Sequence, residues 1–276
     1  MSAKERVLFV SQEITPYLPE SPMGMIGRHL PQGIQEKGRE IRTFMPRYGN
    51  VNERRNQLHE VIRLSGMNLI IDDNDHPLII KVASIQPARM QVYFIDNEEY
   101  FQRKAVLTDK NDVEFTDNDE RAIFFCRGVL ETVKKLGWAP DVIHCQGWMT
   151  SLLPFFAKTV YKEDPMFENA KIVYSVYNDR FTNPLDSRLA SKVQFDTLTQ
   201  EDVASFNDTT YLGLTKAGIK YSDAVIIGSD NLDADVLALA NNSGKPVLGY
   251  QDEDTYIEAY SEFYSEVLAD SPVLAD

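Results

Sequence analysis

Short apolar runs alternate along this chain with longer amphipathic stretches, and no other feature constrains the fold as much. Arg6–Ser11 reads as a buried strand, apolar and bounded by polar residues. Residues 23–37 read as a helix stopped by Gly38, and 40–45 as a strand ended by Pro46. Between about 58 and 95 the rhythm changes. Strand candidates at 58–71, 78–85 and 90–95 are separated by the polar segment 72–77 and by Gln86-Pro87, which predicts antiparallel hairpins added to a main sheet. Alternation then resumes. Helices are expected at 117–136 (capped by Thr116 or Asp117, closed by Gly137), 149–161 despite Pro154, Tyr211–Tyr221, and 231–240 capped by Ser229 or Asp230. Strands are expected at 141–145, Lys171–Val176, 223–227 and 246–248. Repeated strand–helix–strand units imply a single doubly wound α/β domain with a mostly parallel sheet covered on both faces. Ligands of such sheets sit at the carboxyl ends of the strands, so residues 12–27, 145–150, 177–185 and 228–231 carry the most weight.

Charge and cysteine usage narrow the classes. The 276 residues hold 28 Lys+Arg against 42 Asp+Glu, a formal net charge of −14. A general nucleic-acid binder or a protein of anionic membrane surfaces needs a cationic face, so neither partner is expected. No apolar run reaches the roughly 18 to 20 residues of a membrane span, and the run at 7–10 is too short for an export leader. Two cysteines, Cys126 and Cys145, make no disulfide framework, and a cytoplasmic location is the simple expectation. No metal-ligand spacing occurs, no G-x-G-x-x-G follows the first strand, and no G-x-S-x-G is present; no cofactor is expected. The acidity is uneven: the last 26 residues carry −8, with acidic residues at 252, 253, 254, 258, 262, 266, 270 and 276 and no basic one. Tyr256, Ile257, Tyr260, Phe263, Tyr264, Val267 and Leu268 follow helical spacing there, with Glu258, Glu262 and Glu266 opposite. The expected organisation is a domain over 1–250 and an acidic amphipathic helix and tail over 251–276, the aromatic stripe either packing back on the domain or meeting a partner.

The chain resembles the N-terminal domain of bacterial glycogen synthases and plant starch synthases, from about Arg6 to Asp235. The resemblance rests on the opening strand with Ser11-Gln12-Glu13 and Pro16, on Leu30-Pro31, and on Gly38-Arg39-Glu40-Ile41-Arg42 followed by Met45-Pro46-Arg47-Tyr48. It continues through Val92–Asp96, Tyr100-Phe101-Gln102-Arg103, the stretch from Leu136 to Cys145, Trp148, Thr150–Pro154, and Thr215–Asp223. It implies one half of a GT-B enzyme and α-1,4-glucan synthesis from a sugar nucleotide, a hexosyl transfer. A glucan or sugar nucleotide is then the implied ligand. A protein partner or second copy is the implied cover for the face that the family's second domain occupies.

The departures bear on function. The family carries a lysine and a Gly-Gly pair in the loop after the first strand, where backbone approaches a nucleotide phosphate. An ungapped match puts Pro19 at the lysine, Ser21-Pro22 at the glycine pair and Met25 at an aspartate. Proline offers no N–H and Glu20 has the wrong sign, so 19–22 with Gly24 read as a degenerate nucleotide loop. Gly24 and Gly27 otherwise read as close-packing positions. The family's His-Asp-Trp becomes Gln146-Gly147-Trp148, and its His-Asn pair becomes Tyr177-Asn178. The family's second domain supplies most of the donor site, and only about 40 residues follow Asp235, so the chain is expected not to act alone. The family's chain ends in a helix that crosses back onto the first domain, a place the helix at 256–268 would fill. Gln146, Trp148, Tyr177, Asn178 and Asn183 are the candidate sugar or glucan cleft. Against this, Trp148 lies among Met149, Leu152 and Leu153 as a core residue would, and His144 ends a buried strand. Three readings stay open: an incomplete glucosyltransferase, a sugar-binding or regulatory protein derived from one, and an interaction module.

Overall fold

The structure is a computed structural model that describes residues 4–269; Asp270 and Asp276 of the acidic segment lie outside the described residues. The chain enters as β1 (Arg6–Ser11), α1 (Pro22–Glu36) and β2 (Glu40–Pro46). An insertion follows, made of β3 (His59–Glu60), β4 (Met67–Ile71), β5 (Asn74–Ile85) and β6 (Met90–Asp96). The short helix α2 (Glu98–Phe101) and the long α3 (Asn118–Leu136) lead to β7 (Val142–Gln146), α4 (Leu153–Lys158) and β8 (Lys171–Val176). The short helices α5 (Leu189–Lys192) and α6 (Gln200–Val203) precede α7 (Tyr211–Tyr221) and β9 (Ala224–Ile227). Finally come α8 (Ala234–Asn241), β10 (Val247–Leu248) and α9 (Tyr256–Ala269).

The strands make one sheet in the order β10-β9-β8-β7-β1-β2-β6-β5-β3, with β4 paired to β5. Pairing is parallel from β10 through β6 and antiparallel from β6 to β5, β5 to β3 and β5 to β4. This is the α/β doubly wound sheet with an antiparallel insertion that the alternation predicts. Val7, Leu8, Phe9 and Val10 of the central strand are fully buried, as a strand covered on both faces requires. No helix among the described residues is long and apolar enough to cross a membrane.

Several expected boundaries move, each for a local reason. The candidate strand at 58–71 breaks in two, because Ser65 folds back onto the Val61 carbonyl and also accepts the Ile80 N–H. The polar segment 72–77 is not a loop: Asp72 and Asp73 alone turn, with φ of 48° and 62°, and residues 74–77 already belong to β5. A two-residue turn with left-handed backbone matches the twist of a hairpin, and aspartate tolerates it. The helix expected at 149–161 is a 3₁₀ turn at Trp148–Thr150 followed by α4, with Pro154 in its first turn, where its missing N–H costs nothing. The last helix before β10 starts at Ala234 after Asp233, later than Ser229 or Asp230 would set it.

The aromatic face of α9 packs on the domain. Tyr256, Tyr260, Phe263, Tyr264 and Val267 are buried. Ile257 seats against Gly33 of α1, where an added Cβ would come within 2.5 Å of it. Lys37 pairs with Glu258, and Arg39 donates to the hydroxyls of Ser261 (2.6 Å) and Ser265 (2.7 Å). At the centre, the imidazole of His144 on β7 lies between two hydroxyls. Its Nδ1 is 2.7 Å from Tyr264 Oη, and its Nε2 is 2.6 Å from Ser175 Oγ on β8. Burial pushes its pKa down to about 3, so the ring is neutral and satisfied by one donated and one accepted bond.

Two outcomes are expected from this contact. Tyr264→Phe strands one imidazole nitrogen in the core and is expected to cost about 1–3 kcal/mol, read as a lowered urea midpoint. The His144 pKa is lower in the folded chain than the ordinary 6.5, so the unfolded chain binds the extra proton. The stability this residue contributes is present above pH 6.5 and is lost as pH falls toward 3. The stability of the parent relative to His144→Gln is therefore expected to fall with acidification by up to about 1.4 kcal/mol per pH unit. A parallel pair of curves would contradict a neutral buried imidazole.

Candidate functional site

The carboxyl ends of β1, β7, β8 and β9 meet at one edge of the sheet, and the residues singled out from the sequence fall there on three loops. The first is the β1–α1 loop. Pro19 and Glu20 are exposed at its tip. Ser21 has extended backbone and caps α1, its Oγ accepting the Gly24 N–H at 2.9 Å while donating to Glu13 Oε2 at 2.5 Å. Pro22 is the first residue of the helix and brings no N–H. Gly24 packs close to Ser21 and Thr15, with an added Cβ 3.0 Å from each hydroxyl, and a Cβ on Gly27 would lie 2.5 Å from the Glu13 carbonyl oxygen. Both glycines thus serve the approach of α1 to its own loop. The helix N-terminus, with its positive end of the backbone dipole, is capped internally and has the Glu13 carboxylate linked to its cap.

The second loop follows β7. Gln146 is buried; its Oε1 accepts from Ser11 Oγ at 2.6 Å, and its Nε2 has no partner among the described residues. Gly147 takes φ of 88° against Gln12 and Met23, a conformation and a space that suit glycine alone. Gln12 bridges the two loops, its N–H donating to the Gln146 carbonyl and its Oε1 accepting the Met149 N–H at 3.0 Å. Trp148 is 1% exposed, its ring edge-on to Phe181 at 4.8 Å and its Nε1 without a partner among the described residues.

The third loop follows β8. Tyr177 is buried with its hydroxyl unpartnered among the described residues, and burial among Tyr256, Tyr260 and Tyr264 holds that hydroxyl well above its ordinary pKa. Its ring fills the space over Gly228, where a Cβ would meet it at 2.7 Å. Asn178 and Asn183 are exposed. The backbone N–H of Asn178 donates to Ser229 Oγ at 3.1 Å, and the Asn183 amide donates to Glu114 at 3.0 Å. Of the five cleft candidates, then, Gln146, Trp148 and Tyr177 lie under the surface at the ends of adjacent strands, and the two asparagines lie on it.

Asp179, which sequence reasoning passed over, ties these loops together. Its Oδ2 accepts the Trp148 N–H at 2.8 Å and its Oδ1 lies 2.8 Å from the Tyr211 hydroxyl, which is equally close to the Tyr177 carbonyl. Burial pushes its pKa up to about 6 against these hydrogen bonds, with the Glu13 carboxylate adding to the rise. The only sequence signal was an acid directly after Tyr177-Asn178. Next to it, Arg180 is spent on Asp233 (2.8 Å) and Asp235 (2.9 Å), which clamps the β8 loop to the start of α8.

With this geometry in view, the comparisons are specific. A family model described as the starch synthase catalytic domain matches residues 6–245. The glycogen synthase of Chlorobium limicola is 41% identical over 174 residues, which is 63% of this chain and 36% of that protein. The glycogen synthase of Chlorobium phaeovibrioides is 32% identical over 239 residues, 86% of this chain and 48% of that protein. The chain thus spans between about a third and a half of the length of these relatives. The catalytic domain of starch synthase IV from Arabidopsis thaliana, solved with ADP and acarbose, superposes with a TM-score of 0.71 at 18% identity, covering 92% of this chain and 53% of that one. At that identity the superposition speaks for the fold.

The raised Asp179 pKa makes a prediction opposite in sign to that for His144. The folded chain holds this proton more tightly than the unfolded one, so the contribution is present at low pH and is lost as pH rises from 3.8 toward 6. The stability of the parent relative to Asp179→Asn is expected to decline across that window and to level off above it. Urea titrations of both proteins between about pH 4 and 7 provide the check; a difference that grows with pH would mean the carboxylate is better stabilised folded than unfolded.

Proposed function

The chain belongs to the starch synthase catalytic domain family, and from that footing we propose that it is a glucosyltransferase-type domain which keeps the glucan side of the family's chemistry and has given up the donor-phosphate side. The observation that carries this reading is the closed N-terminus of α1. Its cap is filled by Ser21, its first residue is Pro22, and the Ser21 hydroxyl is bonded to Glu13. A diphosphate brought there would displace that bond and sit beside the Glu13 carboxylate. Like charges about 4 Å apart near a protein surface repel by roughly 4 kcal/mol per charge pair. Transfer needs the reverse arrangement, with positive groups already in place at the leaving diphosphate. Arg180, the arginine nearest the end of β8 on its loop, is neutralised twice.

What supports carbohydrate binding is the set of unpaired hydrogen-bonding groups at the strand ends. Gln146 Nε2, Trp148 Nε1 and Tyr177 Oη have no partner among the described residues, and buried polar groups of this kind call for one. Asn178 and Asn183 add surface amides on the same loops. Amides bind sugar hydroxyls, and the two asparagines present theirs at the surface, above the buried Gln146, Trp148 and Tyr177. On this reading residues 1–250 are the transferase-type domain and 251–276 an acidic amphipathic helix and tail, of which the described part, Tyr256–Ala269, packs on the domain. Cys126 and Cys145, buried and unpaired, are compatible with the cytoplasm as its compartment.

The test has two arms. Incubation with ADP-glucose or UDP-glucose and glycogen is expected to give no incorporation of glucose; incorporation would overturn the loss of the donor side. Calorimetric titration with maltooligosaccharides is expected to show binding, weakened about 2- to 10-fold by Asn178→Ala through loss of one hydrogen bond. Heat from neither glucans nor nucleotides would turn the reading to a protein-interaction module.

A further inference from the structure

At the opposite end of the sheet, roughly 20 Å away along the seven-residue strand β2, the surface carries a recess. A cavity of about 340 Å³ opens between the C-terminal end of α1, the start of β2 and the β5–β6 hairpin. Its polar lining is Gln35, Arg42, Ser84, Gln86, Arg89 and Gln91. The chain carries −14 overall, yet this lining holds two guanidinium groups and no acidic side chain.

The two arginines are held differently, and both arrangements favour a ligand. Arg42 is fixed: its NH1 donates to the Ile41 carbonyl at 2.8 Å, its guanidinium lies 5.1 Å from the Trp138 ring centroid, and its Nε is buried without a partner among the described residues. Its one ionic neighbour among the described residues, Glu40, is 3.4 Å from NH2. Arg89 sits in the left-handed region with φ of 49° at the end of the hairpin turn, a position where glycine or asparagine relieves strain. Arg89 lines the cavity from a backbone conformation that carries a conformational cost. Among the described residues, the side chains of Gln35, Ser84, Gln86, Arg89 and Gln91 make no internal hydrogen bond, so a ligand breaks none of them on entering.

We propose that this cavity is a binding site for a small phosphomonoester that also carries hydroxyl groups. Arg42 and Arg89 take the phosphate oxygens, for which the planar guanidinium fork is suited. The three glutamine amides and Ser84 take the hydroxyls, since amides both donate and accept. The volume admits a molecule of the size of a sugar phosphate and lies in the usual range of ligand sites. The ligand class follows from the side chains alone and is independent of what the strand-end site binds.

The experiment is a thermal-shift and calorimetric comparison of glycerol phosphate, a hexose phosphate, the free hexose, inorganic phosphate and sulfate at matched ionic strength. The phosphate esters are expected to raise the midpoint. The free hexose is expected to do nothing, and the inorganic ions to act more weakly. Arg89→Gly is the informative variant, because it relaxes the backbone while removing the guanidinium. It is expected to lower ester affinity at least about 10-fold, through loss of a charge-assisted pair, with an unchanged or higher midpoint in the absence of ligand. Arg42→Met is expected to weaken binding similarly. Binding that survives in Arg89→Gly, an equal response to sulfate, or no response to any ester would each overturn the proposal.

Discussion

The handedness of the strand–helix–strand crossover is the constraint on which the rest of this structure depends. A right-handed connection puts its helix on one face when the chain steps one way across a parallel sheet, and on the other face when it steps back. The step from β1 to β2 places α1 on one face. From β6 the chain returns through β7, β8, β9 and β10, all in the other direction. The helices of those steps, α3, α4, α7 and α8, therefore share the opposite face, and they contact one another in that order. The first face is left bare over β7 and β8. The aromatic side of α9 is what covers it, packed beside α1.

The pairing of His144 with Tyr264 and Ser175 is then the point where the last helix is joined to the bare strands. A neutral imidazole suits that place because it donates at one nitrogen and accepts at the other, and so satisfies two hydroxyls without burying a charge. The same packing sets the strand-end surface. Tyr177 is pressed under the loop by the tyrosines of α9, and Asp179 then gathers Trp148 and Tyr211 around it. Carboxylates meet hydroxyls and N–H groups at the edge where the family's chemistry would place phosphate. The charge that matters is this local arrangement, while more than half of the formal net charge lies in residues 251–276.

Much of the fold was legible because its signals are local. β1, α7 and β8 have the bounds that apolar periodicity and end residues set, and Gly137 closes α3 in the left-handed conformation. The aromatic spacing of α9 identified its buried side. What escaped was decided by contacts distant in sequence. Ser65 splits a strand because it reaches Ile80, and the separate turn at Asp72-Asp73 depends on β4 and β5 pairing. The cleft was legible as a set of loops, not as an arrangement: the apolar neighbours of Trp148 signalled its burial, but nothing local says that Gln146 is covered while Asn178 is not.

By itself the sequence determined the class of fold, the positions of the loops that end the strands, and the family to which they belong, because periodicity, caps and motif order are properties of neighbouring residues. Only the tertiary structure decided how those loops are used. The bond from Ser21 to Glu13 closes a loop on itself, and the capture of Trp148 and Tyr211 by Asp179 and the seat of Tyr264 on His144 join groups on separate elements. Whether a polar group faces solvent, a ligand or another side chain depends on which distant element closes over it, and that is fixed only when the sheet, its crossovers and the final helix are packed together.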